Sequence, residues 1–390
     1  MNANFTHIVN NFEKCLRAYF ERYVIILFML FITAFAVIAR IYLINFESGD
    51  FVGALNPWYT KIQQEGFYAF KDRFSNYSAP YLYLLYLLTK IGLSSLYSIK
   101  SATIIFEIVM SVASFALIKR LTGSKILASI GYSLILLSPT VVLNGAAWGQ
   151  CDAVFTCFIV ISLYYFVCRK YFLSVLYYAI SLCFKLQAIF VFPVFLSLSL
   201  HGIFPLYYLL ILPFLYMFFH IPFVLVGAKI STLFFRTYAG QIGNYKHITL
   251  NAPTFFAFCA DGNLMIRNSF PYIGVGLTLV GSFLYYIHKS LCRNILLSLA
   301  FFSIFVPYVL PRMHERYFFI GDVLTIIYAC CRPSRFFVPI LVGTASLLSY
   351  MPYLLKTHVL PLQVAAIFMG LAVATLGMDL CQAAREEGGQ

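Results

Sequence analysis

The sequence predicts an all-α integral membrane protein, and three observations carry that prediction. Of its 390 residues, 62% are hydrophobic and only 11% charged, against about 45–50% apolar and 25% charged in soluble domains. The apolar residues form continuous runs, as in 24–39 and 203–219, near the roughly 20 residues that carry a helix across about 30 Å of hydrocarbon. The runs do not alternate polar and apolar, as barrel strands do. Backbone in lipid must hydrogen-bond within itself, which leaves helices.

Taken in order, about twelve spans are expected in a single domain over 1–390, near 23–45, 98–118, 126–143, 151–168, 171–184, 188–201, 203–226, 270–287, 295–311, 317–331, 335–354 and 359–380. Lys14, Arg17 and Arg22 precede the first span, which places the N-terminus in the cytoplasm. The polar start, Met1–Arg22, and the length of the first apolar run argue against a cleavable signal peptide. Alternate loops are then basic, through Lys119, Arg120 and Lys125, Arg169 and Lys170, Lys289 and Arg293, and Arg332 and Arg335. His201 and the C-terminal tail fall on that same cytoplasmic side. The stretch Ala79–Leu93 is apolar but short, and a crossing there would invert every later loop. It reads as a juxtamembrane or re-entrant helix outside, with Pro80 suited to a helix start. Two long outer loops follow, 46–97 and 227–269. The runs 171–184 and 188–201 are too short to cross alone and meet at Lys185 and Gln187. That pattern suggests a funnel below the outer surface, since irregular backbone at depth is tolerated only where it lines a cavity.

The net charge of +13 does not call for nucleic acid, because the basic residues sit at helix ends. Most of the ten cysteines lie in apolar runs, as Cys157, Cys168 and Cys183 do, and read as core thiols rather than a disulfide or metal set.

With this topology the polar motifs gather outside. Asp50, past the first span and next to Gly49, reads as a general base or as a solvated helix-end aspartate. Trp148, Gln150 and Asp152 open the fourth span, where Asp152 could serve a site or cap a first turn. Lys185 is a phosphate or carboxylate contact, or a snorkelling lysine. Tyr77 and Tyr81 sit beside Asn76-Tyr77-Ser78, a glycosylation pattern too close to the re-entrant helix to carry a glycan. Gln241 and Asn244 lie in the second long loop. Arg312, His314, Glu315 and Arg316 put four ionisable groups in five residues on the side where basic residues are depleted. Two arginines there suit a phosphate, while a lone histidine gives no metal site. Glu107 falls mid-span, either paired with a cation of a neighbouring helix or neutral and structural. Aromatics such as Trp58, Tyr59 and Phe67 offer ring faces for stacking or anchor at the interface.

These stretches together resemble a known group. Ser48-Gly49-Asp50, Asn56-Pro57-Trp58, Phe74–Tyr83, Trp148-Gly149-Gln150 with Asp152, Lys185-Leu186-Gln187, Tyr238–Tyr245 with Asn251-Ala252-Pro253, and Pro311–Tyr317 run in order over residues 48–322. In this the chain is similar to the GT-C superfamily of membrane glycosyltransferases, and most resembles bacterial relatives of the GPI-anchor mannosyltransferase. The run Phe184–Gln187 is also similar to one in the lumenal glucosyltransferases of N-glycan assembly. The resemblance implies transfer of a hexose, mannose favoured, from a polyprenyl-phosphate donor to a hydroxyl of a glycolipid, polysaccharide or protein. It implies inversion without metal or cofactor, at the extracytoplasmic face of a bacterial plasma membrane. By position it makes Asp50 the catalytic base and Lys185, Arg312 and Arg316 the grip on the donor phosphate. It leaves Asp152, Gln150, Trp148, Gln187, Tyr77, Tyr81, Gln241, Asn244, His314 and Glu315 to bind or support. Glu107 departs from the pattern, which has an aspartate in the second span.

A flippase or transporter of lipid-linked sugars would also carry membrane-facing cations, but with polar groups on both sides and often repeat symmetry. A polysaccharide polymerase or ligase shares substrates but not this first loop, and a non-catalytic assembly subunit would lack transfer altogether.

Overall fold

The structure, a computed structural model, describes residues 3–230, 247–259, 264–288 and 294–388. Tyr238–Tyr245, with Gln241 and Asn244, and the basic pair Lys289 and Arg293 lie outside the described residues.

Every one of the twelve apolar runs is helical, and among the described residues there is no strand. The helices are α1 (Ala3–Leu43), α2 (Asn56–Glu65), α3 (Ala79–Leu88), α4 (Ser95–Thr122), α5 (Lys125–Leu137), α6 (Pro139–Val142), α7 (Asp152–Val167), α8 (Tyr171–Phe184), α9 (Phe192–Leu200), α10 (Ile211–Leu225), α11 (Leu264–Ile287), α12 (Ile295–Val309), α13 (Phe319–Cys331), α14 (Phe337–Leu354) and α15 (Leu362–Gly388). Six segments are long and apolar enough to cross a membrane, in α1, α4, α10, α11, α14 and α15 with their flanking turns. A seventh is added if α5 and the segment from Pro139 to Trp148, bent by 45°, count as one. The remaining spans of the sequence reading are short helices: α7, α8, α9, α12 and α13. The described residues thus form an all-helical membrane protein that combines long helices with blocks of short ones.

Local chemistry explains the boundaries. Ser94 and Ser124 cap α4 and α5, accepting from the backbone N–H of Tyr97 and Leu127, as short hydroxyl residues do at helix starts. Gly123 ends α4 with a left-handed φ of 71°, a conformation open to glycine at little cost. Pro139 breaks α5 from α6, because proline cannot donate into the preceding turn.

Short helices fill the middle and long ones ring it. Only 11% of the spanning window of α1 and of α11 is buried, which fits helices facing lipid, whereas α7 buries residues around its whole circumference, among them Ala153, Phe155, Thr156 and Ile159. A helix apolar all round belongs in a core. The first loop, 46–97, makes a hydrophobic cluster of its own. Phe51, Leu55, Tyr59, Ile62, Phe70, Leu82 and Leu85 pack with Cys151 and Val154, so the loop is seated on the start of α7. The helix α3 buries six of its ten residues and is too short to cross, as expected of the stretch 79–93.

Two buried cations tie the long helices to this end. Lys100 Nζ donates to three carbonyls past the last turn of α1, those of Leu43 at 3.1 Å, Ile44 at 3.0 Å and Phe46 at 2.5 Å. A cation is favourable at a helix C-terminus, where carbonyls lack partners. Arg40 donates to Glu107 Oε2 at 2.6 Å and to the carbonyls of Ala36 and Leu136. Glu107 therefore has the cation from a neighbouring helix that its mid-span position called for.

Candidate active site

The site is assembled around Asp50. Ser48-Gly49-Asp50 follows α1, and each residue has a distinct task. The Ser48 hydroxyl accepts from Phe51 N–H at 3.1 Å and donates to the Trp148 carbonyl at 2.9 Å, joining this turn to the segment before α7. At Gly49 a Cβ would lie 2.9 Å from the Tyr353 hydroxyl, so glycine admits that tyrosine. The chain then winds into a wide π turn, Phe51–Leu55, and a second such turn, Leu143–Trp148, carries the facing residues. Such turns are rare and frequent at functional sites.

Four donors converge on the Asp50 carboxylate. Trp148 Nε1 donates to Oδ2 at 2.9 Å, Gln150 Nε2 to Oδ2 at 2.7 Å, and Arg316 Nη1 to Oδ2 at 3.2 Å. The Tyr353 hydroxyl donates to Oδ1 at 2.6 Å. Oδ1 keeps a free lone pair in this set, and the side chain is 28% exposed. Burial pushes the Asp50 carboxyl up, but the Arg316 charge and the Tyr353 and Trp148 bonds outweigh it and hold the group below the ordinary carboxylate value. The carboxylate is thus ionised and already oriented.

Gly149 sets the aim of two of these donors. Its φ of 76° turns the chain between Trp148 and Gln150, so that both side chains reach one oxygen. Trp148 is wholly buried and stacks on Tyr353 at 5.0 Å, and the Arg316 guanidinium lies 5.5 Å above the indole, a cation–π distance.

Gln150 links Asp50 to a second cluster. Its Oε1 accepts from the Tyr77 hydroxyl at 2.8 Å, and Lys185 Nζ lies 5.4 Å from the Tyr77 ring. Tyr81 packs edge-on against Tyr77 at 4.9 Å. Lys185 is paired with Asp152, whose other oxygen accepts from Asn144 Nδ2 at 2.9 Å. Both members of that pair are buried, so Lys185 does not snorkel. The break between α8 and the following turn supplies the geometry, because Lys185 is extended at φ −153°. Gln187 is buried there, and its Oε1 has no hydrogen-bond partner among the described residues.

The stretch Pro311–Tyr317 delivers the rest. Arg312 adopts a left-handed φ of 61° and donates its backbone N–H to the Ile248 carbonyl at 2.6 Å. His314 bridges Leu250 and Asn251. This pairing turns Glu315 inward and brings Arg316 to Asp50. Burial, reinforced by Arg316, depresses the His314 imidazole to about 3, so it is neutral at physiological pH. Burial pushes Glu315 up to about 7 against the pull of Arg316, 3.9 Å away. Arg316 Nε is buried without a partner among the described residues, an orphaned donor on a cation.

The structure thus brings together Asp50, Trp148, Gln150, Tyr77, Tyr81, Arg316, Glu315, His314, Lys185 and Asp152. It seats Arg312 by its backbone beside Ile248 rather than among the donors to Asp50. Tyr353 and Asn144 are additions that sequence reasoning missed. The signal for Tyr353 was faint: two tyrosines flank Pro352 at the end of α14, which also reads as an interfacial anchor. Among the described residues no group of three or more His, Cys, Asp or Glu side chains could hold a metal ion. No family model matches the chain, and no curated protein matches it at a significant level.

Proposed function

We propose that the chain is a membrane-embedded glycosyltransferase that moves a hexose, mannose favoured, from a polyprenyl-phosphate donor to an acceptor hydroxyl. The observation that carries this reading is one carboxylate, Asp50, held ionised by donors from separate chain segments, with two cations in the same polar nest. The reaction needs that pairing. The acceptor oxygen attacks the anomeric carbon while the bond from that carbon to the phosphate oxygen breaks, inverting the centre. The hydroxyl proton passes to Asp50 Oδ1, and the charge that appears on the departing phosphate meets Arg316 and Lys185. A carboxylate of low basicity suits a late proton transfer, in which the hydroxyl is first oriented and surrenders its proton as the new bond forms. The orphaned Arg316 Nε supplies a donor that an anionic leaving group would satisfy.

The proposed orientation is extracytoplasmic for this end, with twelve passages through the bilayer counting the short helices, cytoplasmic termini, and a bacterial plasma membrane favoured. Helix direction supports it. α4, α7 and α13 start near the Asp50 nest, and their far ends carry Lys119 and Arg120, Arg169 and Lys170, and Arg332 and Arg335. Positive charge is retained on the cytoplasmic side, which puts Asp50 on the other.

The test is to offer the purified protein a panel of labelled polyprenyl-phosphate sugars with a hydroxyl acceptor. The expected result is consumption of one hexose donor and a product of inverted anomeric configuration. No consumption of any donor, or a product of retained configuration, contradicts the reading.

A further inference from the structure

We propose a second binding site, at the end of the bundle opposite Asp50, for a phosphate-bearing lipid of the adjoining leaflet. A cavity of about 690 Å³ lies there, within the usual range for ligand sites of about 300–1,000 Å³. It is walled by the far ends of α4, α7 and α13 and by the starts of α8 and α12, so it is separated from the Asp50 nest by the length of those helices. Arg169 and Arg332 line it with Asn294 and Gln382, and a single carboxylate, Glu386, opposes them. The remaining wall is apolar, through Leu121, Phe166, Ile203 and Leu297. Leu121 is 39% exposed, at the outer surface of the bundle. A guanidinium pair over an apolar wall is the chemistry that recognises an anionic headgroup with its acyl chain attached.

Arg169 supplies the independent observation. It adopts a left-handed φ of 58° at the end of α7, where its N–H bonds to the Phe166 carbonyl and that of Lys170 to Tyr165. Helices commonly close this way with glycine, because a side chain there is strained. An arginine kept in a strained position at the mouth of a cavity points to a use for its side chain. Arg335, in the turn after Arg332, is engaged with Asp379, whose other partner is the Tyr328 hydroxyl at 2.7 Å. Among the described residues, Arg169 and Arg332 are the cations that line the cavity, Arg332 beside the Tyr328 hydroxyl.

The test is thermal unfolding of the full chain in nanodiscs of phosphatidylcholine with increasing phosphatidylglycerol, beside a detergent sample given glycerol phosphate. We expect saturable stabilisation by phosphatidylglycerol and none by glycerol phosphate alone. Arg169→Gly relieves the backbone, so its midpoint in pure phosphatidylcholine should equal or exceed that of the parent. Its apparent affinity for phosphatidylglycerol should fall about tenfold, as loss of a charged hydrogen bond implies, and Arg332→Gln should match it. Unchanged phosphatidylglycerol dependence in both variants, or equal stabilisation by phosphatidylcholine, overturns the site. Equal stabilisation by glycerol phosphate overturns the lipid as its ligand.

Discussion

At the residue scale, the site works through pre-organisation of Asp50. Removing one donor should weaken without abolishing it. Tyr353→Phe deletes the one bond to Oδ1 among the described residues, worth about 1.5–3 kcal/mol for a charged acceptor, and should lower the transfer rate by roughly tenfold or more, measured as kcat with the protein still folded. The pH profile belongs here as well. Glu315, raised to about 7, is neutral in acid and ionises as pH rises through neutrality. Its new charge then competes with the donor phosphate for Arg316. Donor KM should therefore rise above pH 7, and Glu315→Gln should flatten that limb. The sign for stability is the same: a carboxyl whose folded value is raised favours the native state at low pH and loses that contribution as pH rises through about 7. Asp50, held low, stays ionised throughout this range. Much of this was legible in the residues, since Asp50, Trp148, Gln150, Lys185 and Arg316 announce themselves as polar groups in apolar surroundings. Their pairing was not. Lys185 against Asp152, and Arg316 against Asp50, join residues up to 266 positions apart, and spacing along the chain carries no such information.

At the element scale, the backbone turns that aim those side chains matter as much as the side chains. Nothing in the residue pattern marks the two π turns or the left-handed Gly149, because their conformation is decided by what they pack against. Gly149→Ala forces an L-residue into φ 76°, a cost of order 1–3 kcal/mol. It should misdirect Trp148 and Gln150 together, and a larger loss of transfer than in either Tyr353→Phe or Glu315→Gln is expected. Gly145 is held more tightly still: a Cβ there would lie 1.9 Å from Glu107 Oε1, so the Arg40–Glu107 pair locks the second π turn against α4. Breaking that buried pair by Arg40→Met should cost about 3–5 kcal/mol, as an uncompensated buried charge does. Arg40→Met combined with Glu107→Leu should recover most of it, and unfolding midpoints of the single and double variants in detergent measure the difference.

At the scale of the whole molecule, helix positions were readable and helix roles were not. Continuous apolar runs located a helix in each of the twelve expected spans, because hydropathy and breakers such as Pro139 act locally, while α1 starts well ahead of its run, at Ala3, and α15 extends past its run to Gly388. Which of them cross is a matter of length and neighbours: α7, α8, α9, α12 and α13 are shorter than a bilayer needs and sit inside a ring of longer ones. Short helices leave polar ends at depth, and the Asp50 nest is built from those ends. The central claim is that this nest transfers a sugar with Asp50 as base. Asp50→Asn keeps the size of the side chain, removes its charge and replaces one acceptor oxygen by an amide donor. Single-turnover transfer from the labelled donor, with membrane insertion and unfolding midpoint followed in the same preparation, should fall roughly 100- to 10,000-fold while insertion is unchanged. Transfer at the parent rate by a correctly inserted Asp50→Asn protein would contradict the account.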